Sequence, residues 1–121
     1  MNVLTWVAVF LLGGAGSILR FLVDGAVSVR SARAFPYGTL VVNISGALLL
    51  GLVAGLALSH RDSLLLGTAT IGAYTTFSTW LLETERLGEQ GLAAALLLNI
   101  AVSLTAGVPA AALGRLIGAH L

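Results

Sequence analysis

Polar residues inside long apolar stretches are the candidates for chemistry in this chain of 121 residues. Asn43 stands within an uncharged run from residue 34 to residue 59, and its amide carries both hydrogen-bond donors and an acceptor. Polar groups at membrane depth are costly in lipid, so such a residue is a functional candidate by default. Two interpretations of Asn43 are open: a hydrogen bond between helices, or a ligand for an anion or for water.

A second group of polar residues lies in residues 72–80, whose sequence is GAYTTFSTW. A glycine with several serines and threonines in the middle of a required span competes for backbone hydrogen bonds and weakens a helix. Such an interruption is tolerated in lipid only where the backbone lines a cavity or meets an ion. The stretch predicts a third helix interrupted at the midplane. The alternative is a continuous helix whose hydroxyls bond back to their own carbonyls.

Two aromatic residues and one arginine complete the set of candidates. Phe77 and Trp80 are three residues apart and share one helix face. A ring edge carries the positive end of the aromatic quadrupole, so it could contact a small anion, although lipid-facing or core aromatics are the commoner case. Arg20 could reach the interface, pair with Asp24 one turn on, or attract anions at a pore entrance.

The composition indicates which elements position these residues. Charged residues make up 9% of the chain, hydrophobic residues 58%, and the mean hydropathy is +1.02. A soluble domain this small cannot hide so much apolar surface from water. With a net charge of +1, a nucleic-acid partner is not expected. The absence of cysteine excludes disulfides and zinc–thiolate sites. The chain is predicted to be an all-α integral membrane protein.

Charges separate the apolar runs, and each run is long enough to cross a hydrocarbon core of about 30 Å. The sequence therefore predicts one transmembrane domain over residues 1–121, built from four helices per subunit with short connections. The expected spans are approximately residues 3–27, 36–59, 63–86 and 90–117.

The arginines are nearly balanced between the two sides of this arrangement. Arg61 and Arg115 fall on the side of the termini, and the other side holds Arg30, Arg33 and Arg86. Since loop arginines set insertion topology, so small a bias favours insertion in both orientations. The alternative is a fixed orientation set by Arg30 and Arg33.

Small residues recur every four positions on two of the predicted helices. The second helix carries Ala47, Gly51, Gly55 and Ser59, and the fourth carries Ser103, Gly107 and Ala111. Small residues at this spacing let helix backbones approach closely in lipid. Packing within one subunit explains most of this pattern. Because four short helices enclose little interior, a polar pathway is expected to need a second copy, and we expect a homodimer.

Three segments resemble the motifs of the CrcB/Fluc fluoride channels: residues 13–21 (GGAGSILRF), 36–46 (PYGTLVVNISG) and 72–79 (GAYTTFST). The motifs occur in order, and chain length and helix number agree, so the resemblance covers essentially the whole chain. It implies a multi-pass protein of the bacterial-type plasma (inner) membrane that exports toxic fluoride passively. It also implies an antiparallel, dual-topology homodimer with two pores, which agrees with the arginine count.

The resemblance implies roles for individual residues. Main-chain carbonyls of Gly72 and Thr75 from both subunits would hold one structural Na⁺ on the two-fold axis. Asn43 would be the amide donor of the fluoride pore, Phe77 would present its ring edge, and Ser103 would line the pore on the fourth helix. The residues that would form a polar track or vestibule are Arg20, Thr39, Ser78 and Glu83.

Three positions depart from the family pattern. Trp80 takes the second aromatic position of the pore, where the family usually has phenylalanine. Asn99 stands where tyrosine is common, and Phe21 replaces the tyrosine after Arg20. Some organisms carry two such genes whose products pair, so a heterodimer with a paralogous subunit stays open beside the homodimer.

Other function classes fit the residues less well. A small multidrug-resistance-type exporter also has four helices and dual topology, but it needs a carboxylate deep in its first helix, and Asp24 lies near the end of that run. A non-conducting scaffold or accessory subunit leaves residues 72–80 unexplained. No Ser-His-Asp spacing is present, and His60 and His120 lie at segment ends, so no enzymatic activity is expected.

Overall fold

The computed structural model describes residues 1–31 and 34–121. Arg33, which enters the arginine balance above, lies outside the described residues together with Ala32. Over the described part of the chain every regular element is a helix, and no β-strand occurs. The prediction of an all-α chain is confirmed to this extent.

Within residues 1–31 and 34–121, three helices are long and apolar enough to cross a membrane: α1 (Val3–Ser31), α2 (Tyr37–Gly55) and α6 (Ala93–Ala119). Helix α1 continues beyond the expected end at residue 27, whereas α2 stops before residue 59. Pro36 precedes the first residue of α2, where a missing N–H costs nothing. Large apolar side chains such as Phe10 point outward from these helices, as expected of a surface that meets lipid.

The chain between α2 and α6 is divided into shorter helical pieces. They are α3 (His60–Ser63), a π-helix (Leu64–Ile71), α4 (Gly72–Tyr74) and α5 (Ser78–Glu89). The wider π turn is visible in a side chain: the Thr70 hydroxyl donates to the carbonyl of Leu65, five residues earlier, at 2.7 Å. The expected third span, residues 63–86, thus corresponds to several segments that end and begin again around residues 75–77.

Close packing of α2 on α6 forms the main helix pair of the protomer. A Cβ atom added to Gly51 or Gly55 of α2 would overlap backbone atoms of Ala111 or Arg115 on α6. In return, Gly114 of α6 lies directly against the backbone of α2. The small residues of α2 therefore serve packing inside the protomer. On α6 the closest approach falls at Gly114 and Gly118, C-terminal to the predicted stripe.

Helix α1 packs against the 60–74 segment and against the start of α2. Gly16 is buried against the carbonyl of Thr70, where a Cβ atom would overlap it. At the other contact, Gly38 leaves room for the side chain of Asp24. These two approaches bring Arg20, which lies between Gly16 and Asp24, to the region where the third span is divided.

We predict that Gly51→Ala destabilises the protomer while Gly25→Ala does not. Gly25 lies inside α1 with no neighbouring atom within 4 Å of an added Cβ, so alanine there gains helix propensity worth about 0.5–1 kcal/mol. Gly51→Ala forces α2 away from α6, and such overpacking costs about 1–3 kcal/mol. The measurement is thermal unfolding of both variants in the same detergent. Equal stability of the two would contradict the packing described here.

Candidate functional site

The candidate site is organised around an interruption of the helical backbone. Helix α4 ends at Tyr74, and Thr75 is extended, with φ −79° and ψ 162°. Helix α5 begins again at Ser78. The intervening residues, Thr75 to Phe77, leave backbone groups without their usual helical partners, and these groups must be satisfied in another way.

Asn43 of α2 binds the backbone of this interruption with both ends of its amide. Its Nδ2 donates to the carbonyl of Thr76 at 2.8 Å, and its Oδ1 accepts from the Thr76 N–H at 2.9 Å. Thr76 itself is buried, so its peptide groups have little access to water. The hydrogen bond between helices, one of the two interpretations of Asn43, is therefore present. One amide N–H of Asn43 remains for another acceptor.

These side-chain bonds leave two carbonyls without their helical donors. In a continuous α-helix each N–H bonds the carbonyl four residues earlier. The Thr76 N–H would then donate to the carbonyl of Gly72, but in this structure it donates to Oδ1 of Asn43. The Thr79 N–H would donate to the carbonyl of Thr75, but in this structure it donates to the hydroxyl of Thr76 at 3.2 Å. The freed carbonyls are those of Gly72 and Thr75, the pair that the family resemblance singles out.

Only long contacts reach the two freed carbonyls within the described chain. The Thr75 hydroxyl lies 3.5 Å from the carbonyl of Gly72, and Nη1 of Arg20 lies 3.5 Å from the carbonyl of Thr75. Both distances are at the outer limit of a hydrogen bond. The carbonyls therefore keep acceptor capacity for a further ligand.

The chemistry of these donors suits a hard cation. Backbone carbonyls are oxygen ligands of the kind that alkali and alkaline-earth ions prefer. Over residues 1–31 and 34–121, no group of three or more His, Cys, Asp or Glu residues could hold a metal ion instead. One chain supplies two such carbonyls, too few for a hard cation, so a second copy would have to complete the set. The guanidinium of Arg20 is the competing cation at Thr75.

The aromatic pair lies at the start of α5. The ring centroids of Phe77 and Trp80 are 5.6 Å apart with an interplanar angle of 45°. Phe77 is 69% exposed in the isolated chain, whereas Trp80 is partly buried. The indole Nε1 of Trp80 donates to the hydroxyl of Ser103 on α6 at 2.9 Å. Two of the predicted pore residues, far apart in sequence, are thus in direct contact.

A second polar contact joins α5 and α6 one turn away. Asn99 is fully buried, and its Nδ2 donates to the hydroxyl of Thr84 at 2.9 Å. That hydroxyl donates in turn to the carbonyl of Trp80 at 2.7 Å. The Oδ1 of Asn99 has no partner among the described residues. Together the two contacts form a ladder in which Trp80 pairs with Ser103 and Thr84 pairs with Asn99.

A polar cavity of about 220 Å³ lies beside the interruption, between α1 and α2. Its polar lining consists of Ser17, Arg20, Asp24, Thr39, Thr76 and Thr79. At its α5 side the hydroxyl of Thr39 donates to Oε1 of Glu83. Ser78 lies near the Thr76 hydroxyl, with 3.5 Å between the two side-chain oxygens. Four residues are expected in a polar track. Arg20 and Thr39 line this cavity, Glu83 accepts a hydrogen bond from Thr39, and Ser78 lies next to Thr76 in the cavity lining.

Some residues of the site were not found by sequence reasoning. Thr76 supplies both the peptide that Asn43 binds and the hydroxyl that caps α5. A threonine just before the first turn of a predicted helix is typical of an N-cap, and this signal could have identified Thr76. Thr84 and its bond to Asn99 carry no comparable sequence signal, because the contact depends on how α5 meets α6.

Apolar helices around a polar helix interruption define a multi-pass membrane protein of the kind that moves ions or small solutes. Residues 7–115 match the family model described as CrcB-like protein, Camphor Resistance (CrcB). The chain belongs to this family.

Named relatives cover nearly the whole chain. The fluoride-specific ion channel FluC 2 of Mycolicibacterium paratuberculosis is 61% identical over 114 residues, which cover 94% of this chain and 93% of the relative. The protein of the same name from Mycobacterium tuberculosis is 58% identical over 115 residues, covering 95% and 91%. The fluoride-specific ion channel FluC 1 of Symbiobacterium thermophilum is 41% identical over 121 residues, covering 95% and 98%.

We predict that Asn43→Ala lowers the free energy of unfolding by about 1–3 kcal/mol, the cost of leaving a buried peptide unsatisfied. Alanine loses the two bonds to Thr76 together. Thr105→Ala is the matched control, since that exposed hydroxyl bonds only the carbonyl of Ala101 in its own helix. The measurement is thermal unfolding in detergent. If both variants unfold like the wild type, Asn43 does not hold the interruption.

Proposed function

We propose that the protein is a fluoride-selective ion channel that exports fluoride passively across the bacterial plasma membrane. The family membership and the names of the relatives support the ion. The observation that carries the proposal concerns the Asn43 amide. It is hydrogen-bonded to the peptide groups of Thr76 at the interruption, and one of its N–H groups remains available as a donor. A partly dehydrated fluoride needs strong hydrogen-bond donors held in place, and this amide is such a donor within a predominantly apolar span.

Other donors would extend the path of the anion. The aromatic pair begins with Phe77, whose exposed ring can turn its positive edge toward fluoride. Ser103 contributes a hydroxyl on α6, held by Trp80. No step requires a conformational cycle or a co-transported ion, because the donors line a path down which fluoride moves with its own gradient. This is passive export.

Thr39, Ser78, Glu83 and Arg20 would serve the approach to this path. The cavity between α1 and α2 is polar and is lined by the guanidinium of Arg20 and the carboxylate of Asp24, so it can hold water, and an anion would approach on the side of Arg20. Glu83, bonded to Thr39, would repel a bare anion unless hydroxyls or water screen it. The Thr39 hydroxyl, which donates to Glu83, provides part of that screening.

The working unit would be an antiparallel, dual-topology homodimer. In each subunit the 60–74 segment and α5 would form one span, interrupted at the midplane. The near balance of loop arginines supports insertion in both orientations. The freed carbonyls of Gly72 and Thr75 support the second copy, because backbone acceptors with only long contacts are unfavourable in lipid unless another polar surface or a ligand covers them.

A structural Na⁺ would lie on the two-fold axis of this dimer, held by the carbonyls of Gly72 and Thr75 from both subunits. When bound, the ion would supply a fixed positive charge at the dimer centre and neutralise four carbonyl dipoles. What this chain contributes is the preparation of those carbonyls. Asn43 and Thr76 occupy the N–H groups that would otherwise bond them.

A heterodimer with a paralogous subunit is the second candidate. The relatives carry the names FluC 1 and FluC 2, which point to two genes of this family. Trp80 and Asn99, the positions where this chain departs from the family pattern, both lie in the α5–α6 ladder. A paralogue with different residues there would give the two pores of one dimer different linings.

Liposomes that contain only this protein test the proposal. Loaded with potassium fluoride and made permeable to potassium, they are expected to release fluoride, whereas liposomes loaded with potassium chloride should retain chloride. Ion-selective electrodes measure both. Release of chloride at the same rate, or no fluoride release, would contradict a fluoride-selective homodimer. Fluoride release only after a paralogue is added would favour the heterodimer.

We also predict that Phe77→Ile lowers fluoride flux about two- to thirteenfold, which corresponds to the loss of an aromatic edge contact of about 0.5–1.5 kcal/mol. Isoleucine keeps apolar bulk and removes the quadrupole. Phe10→Ile is the matched control, because Phe10 of α1 is 78% exposed and belongs to the lipid-facing surface. Equal fluoride flux in Phe77→Ile and Phe10→Ile would contradict a role of the Phe77 ring in the pore.

A further inference from the structure

The hydrogen bond between Trp80 and Ser103 has only one possible direction. An indole nitrogen can donate and cannot accept, so the oxygen of Ser103 is the acceptor of the 2.9 Å contact. A hydroxyl has a single proton, and one of its lone pairs is now used. The Ser103 proton is therefore left to donate to something else.

The usual local acceptor for that proton is not used. Serine and threonine hydroxyls in helices commonly bond back to a carbonyl of the preceding turn, as Thr105 does on the same helix, to Ala101 at 2.6 Å. Ser103 makes no such bond among the described residues. Because Ser103 is also partly exposed, its proton is available to a ligand outside the protomer.

The position of this donor is fixed by the second contact of the ladder. Thr84 bonds the carbonyl of Trp80 at 2.7 Å and accepts from the buried Asn99 at 2.9 Å. The backbone that carries the indole is thus tied to α6 one turn from Ser103. Phe77, 5.6 Å from Trp80 between ring centroids, places the exposed aromatic surface beside the same group.

We propose that Trp80 and Ser103 form a donor relay, in which the indole N–H commits the Ser103 hydroxyl to donate its proton to a small, hard anion. The proposal rests on the proposed fluoride channel and names Trp80 as a positioning residue for anion selectivity, acting through Ser103. Accepting the indole bond also polarises the hydroxyl and strengthens its outgoing bond. With one lone pair of Ser103 taken by the indole N–H, the hydroxyl has one acceptor site fewer for a cation and keeps its proton for an acceptor, so the relay favours anions.

A double-mutant cycle in liposomes tests the relay. Ser103→Ala removes the donor, and fluoride flux is expected to fall about tenfold or more. Trp80→Phe keeps a ring and removes the N–H, and the expected fall is about three- to tenfold. In the Ser103→Ala background, Trp80→Phe should lower flux no further. Trp6→Phe, on the exposed surface of α1, is the matched control and should conduct normally. Independent, additive losses, or normal flux of Trp80→Phe, would overturn the relay.

An NMR titration tests the same contact without relying on flux. The chain has two tryptophans, so Trp6→Phe leaves the Trp80 indole as the only such resonance. Sodium fluoride should shift the Trp80 indole N–H signal, sodium chloride at equal concentration should not, and Ser103→Ala should abolish the fluoride shift. Ser103→Thr, which keeps a hydroxyl, should restore it. Absence of a fluoride shift in a protein that conducts fluoride would overturn the relay and leave the channel assignment intact. A shift without flux would support the relay and contradict the channel.

Discussion

The pair of hydrogen bonds between the Asn43 amide and the Thr76 peptide is the interaction on which the rest of the site depends. Lipid offers no partner for an exposed peptide, so a helix can be interrupted within a membrane only if side chains or a ligand replace the lost bonds. Asn43 replaces two of them at 2.8 and 2.9 Å. The Thr76 hydroxyl replaces a third by capping α5. The carbonyls of Gly72 and Thr75 are then left with free acceptor capacity, which is the feature a bound cation would need.

The remaining contacts between helices position the residues around the interruption. Glycines of α2 and α6 bring the two backbones into contact, which fixes the helix that carries Asn43. Gly16 does the same for α1 against the π-helix and sets Arg20 beside the carbonyl of Thr75. Helix α5 meets α6 less extensively than α2 does, and the ladder joins α5 to α6 by hydrogen bonds. Close approach of helix backbones positions Asn43 and Arg20, whereas hydrogen bonds between α5 and α6 position Ser103.

Sequence reasoning reached the class of protein, but not the contacts made by the residues that it singled out. Asn43 and residues 72–80 stand out because polar groups are rare in apolar spans, and the match of residues 7–115 to the family model confirms the family. The partner of Asn43 could not be predicted, since a peptide of Thr76 has no signature in sequence and the contact joins residues 33 positions apart. The contact between Trp80 and Ser103 is hidden for the same reason. The π-helix also escaped prediction, because residues 64–71 have the apolar composition of an ordinary α-helix.

The carbonyl of Gly72 provides the most direct test of the central claim, that the Asn43 amide maintains the interruption by taking the Thr76 N–H. In bilayers, the carbonyl ¹³C NMR signal of a protein labelled at Gly72 reports whether that oxygen accepts a helical hydrogen bond. In sodium-free buffer the account predicts a wild-type signal typical of a carbonyl without a helical hydrogen bond, moving to the bonded helical position in Asn43→Leu, where the Thr76 N–H is released. An unchanged signal in Asn43→Leu would contradict it.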